Sequence, residues 1–222
     1  MNNLPGRVRV KICGVRTVEE AQAVAHAGAD AIGVNFYPPS PRYLPPAEAG
    51  KLLAALPAFV EPVAVVVRPQ PDLMRYLIEE VGFRTLQLHD GEPIADYPGV
   101  RYILAAGIAD NADLLAVEER LTRWLERGVS VAAVLLDARV SGKYGGTGTT
   151  PPWPIVAQFS RRRPLILAGG LNPENVAAAI AQVRPFAVDV ASGVESAPGV
   201  KDLARVHAFL QAVWHASASE LS

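Results

Sequence analysis

The chain has 222 residues, and half of them are apolar, enough to fill the core of one sizeable domain and to exclude a wholly disordered chain. Twenty-one Lys and Arg stand against 22 Asp and Glu, a net charge of -1 with no basic stripe, which argues against a nucleic-acid binder. One cysteine, Cys13, excludes an intramolecular disulfide framework, and the longest apolar runs, such as Val131 to Leu136, are far too short to span a membrane. The start, Met1 to Gly6, lacks the apolar stretch of a signal peptide, so a cytoplasmic location is expected.

In chain order, short β-branched runs alternate with longer alanine-rich, amphipathic ones. Strands are expected at Val8 to Ile12, Ala31 to Phe36, Val60 to Val67, Thr85 to Leu88, Tyr102 to Ala105, Val131 to Leu136, Pro164 to Ala168 and Ala187 to Val190. Helices are expected at roughly 17–27, 45–57, 71–81, 111–127, 153–160, 172–183 and 202–215. The stretch from Gly91 to Val100 carries Pro93 and Pro98, so a helix there must be short or irregular. The strands are continuously apolar, as strands buried on both faces are. Eight units of about 28 residues predict an α/β fold, a (β/α)8 TIM barrel occupying residues 1–222 as a single domain. A doubly wound open sheet is the competitor. Thr17 with Glu20 three residues on predicts a capping box, and Asn172-Pro173 predicts a cap with proline in the first helical position. Ala21, Val24 and Ala25 followed by Gly28 give the first helix a small apolar face and a stop.

In such a barrel function gathers where the strands end. Strand one ends Lys11-Ile12-Cys13-Gly14, and strand two runs into the proline-stiffened loop around Arg42. Strand four ends Gln87-Leu88-His89-Asp90-Gly91, strand six ends at Asp137 and strand eight near Asp189. Gly145-Gly146-Thr147-Gly148, Gly169-Gly170 and Ala191-Ser192-Gly193 follow the late strands. Three glycine clusters there suit a phosphate cradled by backbone N–H groups, although glycines also serve plain tight turns. Cys13 is either a small buried hydrophobe or, beside the cation Lys11, a thiolate able to act as base or nucleophile. Asp137 is either a loop cap or a carboxyl raised by a dry pocket to act as an acid. Arg42, between Pro41 and Tyr43, is a surface arginine or a fork for a carboxylate or phosphate. His89 is a polar strand end, and the four histidines show no metal-ligand spacing.

These segments, in this order and spacing, resemble the phosphoribosylanthranilate isomerase family over essentially the whole chain. Gly28-Ala29-Asp30-Ala31, Ser40-Pro41-Arg42-Tyr43, Ala168-Gly169-Gly170-Leu171, the run Val188 to Glu195 and Gly199-Val200-Lys201-Asp202 carry the resemblance with the strand ends above. The resemblance implies a (β/α)8 barrel that performs an Amadori rearrangement in tryptophan synthesis without cofactor or metal. It implies Asp137 as general acid and Cys13 as general base. Arg42 then stands near the anthranilate carboxylate, His89 and Asp189 line the mouth, and Gly146, Gly169, Gly170, Ser192 and Gly193 form the phosphate cradle. The partner is a small phosphorylated substrate, with no nucleic acid and no membrane, and the chain is expected to be a monomer, with a dimer as the competing state. Three places depart from the family pattern: Thr149-Thr150-Pro151-Pro152 replaces a Phe-Asp element before Trp153, Asp90 stands where glycine is usual, and Asn35 stands where an apolar residue is usual. The catalytic lysine and paired glutamates of indole-3-glycerol-phosphate synthase do not match. Two further rivals are a non-catalytic barrel that binds a phosphorylated metabolite and a structural subunit of a complex.

Overall fold

The computed structural model of the chain describes residues 7–94, 97–138, 150–160 and 163–219. Eight parallel strands close into a barrel in sequence order. They are β1 (Arg9–Cys13), β2 (Ala31–Asn35), β3 (Glu61–Val67), β4 (Thr85–His89), β5 (Arg101–Ile108), β6 (Val131–Ala138), β7 (Leu165–Leu167) and β8 (Ala187–Val190). Closure is made by β1 against β8, with Lys11 opposite Asp189 and Ile12 opposite Val190. That pairing rules out the open, doubly wound sheet.

Side chains alternate along each strand, so the barrel has two apolar layers. Val63, Ile103, Ala105, Ala133, Leu135, Ile166, Ala168 and Ala187 pack together inside it. Their outward neighbours, such as Ala64, Leu104, Val134, Leu136 and Val188, join the larger cluster beneath the helices. Each fully buried Val, Leu or Ile there contributes roughly 1.5–3 kcal/mol. The helices are α1 (Val18–His26), α2 (Ala49–Ala54), α3 (Pro71–Tyr76), α4 (Asn111–Glu126), α5 (Trp153–Ser160), α6 (Val176–Val183) and α7 (Leu203–Ser219). Within 91–100 the described residues form no helix, in keeping with the two prolines.

The helix ends depart from expectation in instructive ways. Thr17 accepts the N–H of Glu20 at 3.1 Å, as a cap should. The Glu20 carboxylate does not return to Thr17. One oxygen accepts from Arg16 N and the other from Lys201 N, each at 3.1 Å, so it ties the start of α1 to the far end of the chain. Asn172 does not open α6, which starts four residues later at Val176. Its side chain instead accepts the N–H groups of Glu174 and Asn175, while Asn175 Nδ2 donates to the carbonyl of Gly170 at 2.9 Å. The turn thereby holds the Gly169-Gly170 loop. The expected 45–57 helix is a 3₁₀ turn at Pro46–Glu48 followed by the short α2, and the 71–81 helix widens into a π turn over Leu77–Val81. After β8 the chain makes a 3₁₀ turn, Ser192–Val194, and then an unexpected small hairpin of β9 (Glu195–Ala197) and β10 (Val200–Lys201). Among the described residues no helix is long and apolar enough to cross a membrane.

Candidate active site

Period two decides what the barrel mouth contains. The inward cluster on β3, β5, β6, β7 and β8 is apolar, whereas the inward positions nearer the mouth are Lys11 and Cys13 on β1, Gln87 and His89 on β4, Asp137 on β6 and Asp189 on β8. Cys13, Arg42, His89, Asp137, Asp189, Gly169, Gly170 and Ser192 all line one open cavity. Gly193 lies just off that wall, and the Gly146 segment lies outside the described residues.

Two glycines act through close approach. Gly169 has φ +90°, and a Cβ on it would stand 2.5 Å from Asp137 Oδ1 and 2.8 Å from Ala138 N. A Cβ on Gly193 would overlap the carbonyl oxygen of Leu171, so the loops after β7 and β8 lie directly against one another.

Lys11 and Asp189 form a buried ion pair, Nζ to Oδ1 at 2.8 Å. Asp189 is therefore a partner of Lys11 as well as a residue of the cavity wall. Lys11 favours a Cys13 thiolate, as expected, but burial outweighs it. Burial pushes the Cys13 thiol up, Lys11 opposes it, and Asp189 adds to the rise. The resting group is a thiol. Burial also pushes the Asp137 carboxyl up, to about 6, against the pull of the Ala138 N–H at 2.6 Å. His89 is lowered to about 4 by burial and by Lys11, so the ring is neutral near pH 7. Its Nε2 lies 2.9 Å from Gln87 Nε2, while Gln87 Oε1 is buried at the wall without a hydrogen-bond partner among the described residues.

Arg42 is not a loosely presented fork. Its Nε and Nη2 donate to the two oxygens of Glu195 at 2.8 and 2.7 Å, and the side chain is 10% exposed. Glu195 Oε1 also accepts from Lys201 Nζ at 2.7 Å. Glu195 and Lys201 had no role in the sequence-based expectation. The signal was faint, because partners 153 positions apart carry no local pattern.

The departures have local explanations. Asp90 takes φ +45°, the left-handed region where glycine is easiest and Asp is tolerated. Asn35 Oδ1 accepts the N–H of Tyr37 and its Nδ2 donates to Ser40 Oγ, folding the loop that carries Arg42. Pro152 precedes α5 and its carbonyl accepts from Ile155 and Val156, so it serves as a helix entry.

A family model described as N-(5'-phosphoribosyl)anthranilate (PRA) isomerase matches residues 10–212. The chain is 42% identical over 208 residues to the N-(5'-phosphoribosyl)anthranilate isomerase of Magnetococcus marinus, covering 93% of this chain and 95% of that one. It is similar in fold to the phosphoribosyl anthranilate isomerase of Thermotoga maritima, with TM-score 0.80 and 39% identity over 94% of this chain and 99% of that one. A further similar structure, TM-score 0.77 and 36% identity over 94% and 99% of the two chains, is of such an isomerase in complex with reduced 1-(o-carboxyphenylamino)-1-deoxyribulose 5-phosphate.

Proposed function

The chain belongs to the phosphoribosylanthranilate isomerase family and is an isomerase of that type, so its chemistry is the Amadori rearrangement of tryptophan synthesis; we propose that Asp137 and Cys13 carry it out as general acid and general base. The substrate is N-(5-phosphoribosyl)anthranilate and the product 1-(2-carboxyphenylamino)-1-deoxyribulose 5-phosphate. Asp137 gives its proton to the ribose ring oxygen, and the C1–O bond breaks to leave a protonated imine. That cation acidifies the proton on C2, which Cys13 removes as the electrons shift into an enolamine. The enolamine tautomerises to the ketone. The observation that carries this reading is a carboxyl raised to about 6 and the chain's only thiol opening on one cavity from β6 and β1.

Gly169, Gly170, Ser192 and Gly193 supply the adjoining turns that hold the phosphate, chiefly through backbone N–H groups, with the Gly146 segment as the third part of the cradle. Arg42 meets the aromatic carboxylate through the Nη1 side, which stands outside its pair with Glu195. His89, neutral, and Asp189, paired with Lys11, shape the wall between these ends. The reading includes a monomer in the cytoplasm, which light scattering and cell fractionation test. Freshly generated phosphoribosylanthranilate should lose its fluorescence on adding the protein. Cys13→Ala and Asp137→Asn should each slow kcat by roughly 10²-fold or more while remaining folded. Turnover near the unsubstituted rate in either variant would remove that residue from its role.

A further inference from the structure

A second buried charge cluster at the mouth belongs to side chains that take no part in proton transfer. Arg42, Glu195 and Lys201 are all buried, and the Lys201 side chain has no exposed surface. Glu195 grips Arg42 through two parallel bonds and is itself held by Lys201 Nζ, which also donates to the carbonyl of Ala191 at 3.2 Å. The guanidinium stem lies across Gly14, where φ is +81° and a Cβ would strike Arg42 Cδ. On the outer side Arg16 Nη1 donates to the carbonyl of Pro41 at 3.3 Å, and Glu20 holds Lys201 N. Arg42 is thus fixed from the ends of β1, β2 and β8 together. A planar fork held on one edge by a carboxylate can present only its other edge to the cavity.

The cluster also has an unequal charge count. Two cations surround one carboxylate, so one positive charge remains in excess in a poorly hydrated place. Such an excess attracts one further anion and repels a second cation.

We propose that Glu195 and Lys201 are positioning residues that set the edge of Arg42 facing the cavity, and with it the place and the single negative charge of the aromatic group the enzyme accepts. The inference rests on the assignment of Arg42 to the substrate's aromatic carboxylate, and the experiment separates the two. Glu195→Asp keeps the charge but draws the carboxylate back by one methylene, too short for both bonds. Steady-state constants are measured for Glu195→Asp, Lys201→Met and Arg42→Met on phosphoribosylanthranilate and on the aminoaldose made from aniline, which lacks the carboxylate. Glu195→Asp should raise KM for the normal substrate about tenfold, with kcat within twofold and with less than twofold change on the aniline analogue. Lys201→Met should show the same signature to a smaller degree, and it decides the matter if Glu195→Asp does not fold. If Arg42→Met discriminates between the substrates but neither Glu195→Asp nor Lys201→Met does, the positioning role is overturned and the Arg42 assignment stands. If Arg42→Met affects both substrates equally, both fall. A loss in kcat and thermal stability on both substrates alike for Glu195→Asp would mark the cluster as a staple between loops, and would also overturn the proposal.

Discussion

Asp137→Asn should make the protein more stable as well as nearly inactive. Burial raises the Asp137 carboxyl from the ordinary 3.8 to about 6, with Asp189 adding to the rise. That gap means the ionised form costs roughly 3 kcal/mol more in the folded chain than in the unfolded one. The folded state keeps its proton where the unfolded state has lost it, so Asp137 removes stability as pH rises from about 4 to about 6. Asparagine keeps the shape, and its oxygen can still accept the Ala138 N–H now held at 2.6 Å. Below pH 4 the variant should therefore match the parent, and above pH 6 it should be more stable by up to roughly 3 kcal/mol. His89 works with the opposite sign. Its ring is held neutral down to about 4, so between about 4 and 6.5 the unfolded state binds more protons and stability rises with pH. In the parent the two slopes oppose one another; in Asp137→Asn the His89 slope is no longer opposed by Asp137. Urea unfolding followed by circular dichroism, at half-unit steps from pH 4 to 8, measures both. A gain that does not depend on pH, or no gain at pH 8, would refute the claim that its surroundings push the Asp137 carboxyl up.

Gly169→Ala should lower kcat at least tenfold with little change in KM, because the added methyl at φ +90° displaces the Asp137 carboxyl; kcat within twofold would show that the close approach is not needed. A crystal structure with bound product should place the phosphate between the Gly169-Gly170 turn and the Ser192-Gly193 turn, held mainly by backbone N–H groups. A phosphate elsewhere, or one ringed by lysine side chains, would refute that cradle.

The barrel was legible because its signals are local. β-Branched runs of the right length and spacing, and α1 with its Thr17 cap, depend on neighbours within a few positions. The inward set was legible as well, since Lys11 and Cys13, or Gln87 and His89, share a face by period two alone. What stayed hidden depends on distance along the chain. Glu20 reads as the second half of a capping box, yet β10 arrives beside it and takes one of its oxygens. Lys11 reads as an activator of Cys13, yet the parallel register of β1 with β8 gives its ammonium to Asp189 first. Arg42 reads as a free fork because nothing nearby shows Glu195 at its edge. Buried charges choose partners by three-dimensional closeness, and a sequence shows only which partners exist.

The raised thiol and the raised carboxyl together predict an unusual pH dependence. Rearrangement requires Asp137 protonated and Cys13 ionised, but the carboxyl titrates near 6 and burial holds the thiol above its ordinary 9.0, with Lys11 and Lys201 opposing and Asp189 assisting. Between those values the free enzyme is mostly carboxylate and thiol, the reverse of the form that reacts. At pH 7.5 only about 3% of Asp137 is protonated, and burial leaves less of Cys13 ionised than of an ordinary thiol, so the reactive pair is a small fraction of the protein. That fraction is flat between the two values, because each unit of pH removes tenfold from one group and restores it to the other. The kcat/KM profile should thus rise to a plateau near pH 6 and fall only above the range of an ordinary thiol, with the rising limb belonging to the acid and the falling limb to the base. The weakness of the population is offset by strength of reaction, since a thiolate of high pKa is the better base for the C2 proton. Because Cys13 is the chain's only cysteine, its alkylation rate by iodoacetamide against pH reports the thiol directly. Alkylation should speed up with pH across the plateau and level off where kcat/KM begins to fall. A thiolate already formed at neutral pH, with alkylation independent of pH across the plateau, would mean that Lys11 and Lys201 outweigh burial at Cys13 and would refute this account.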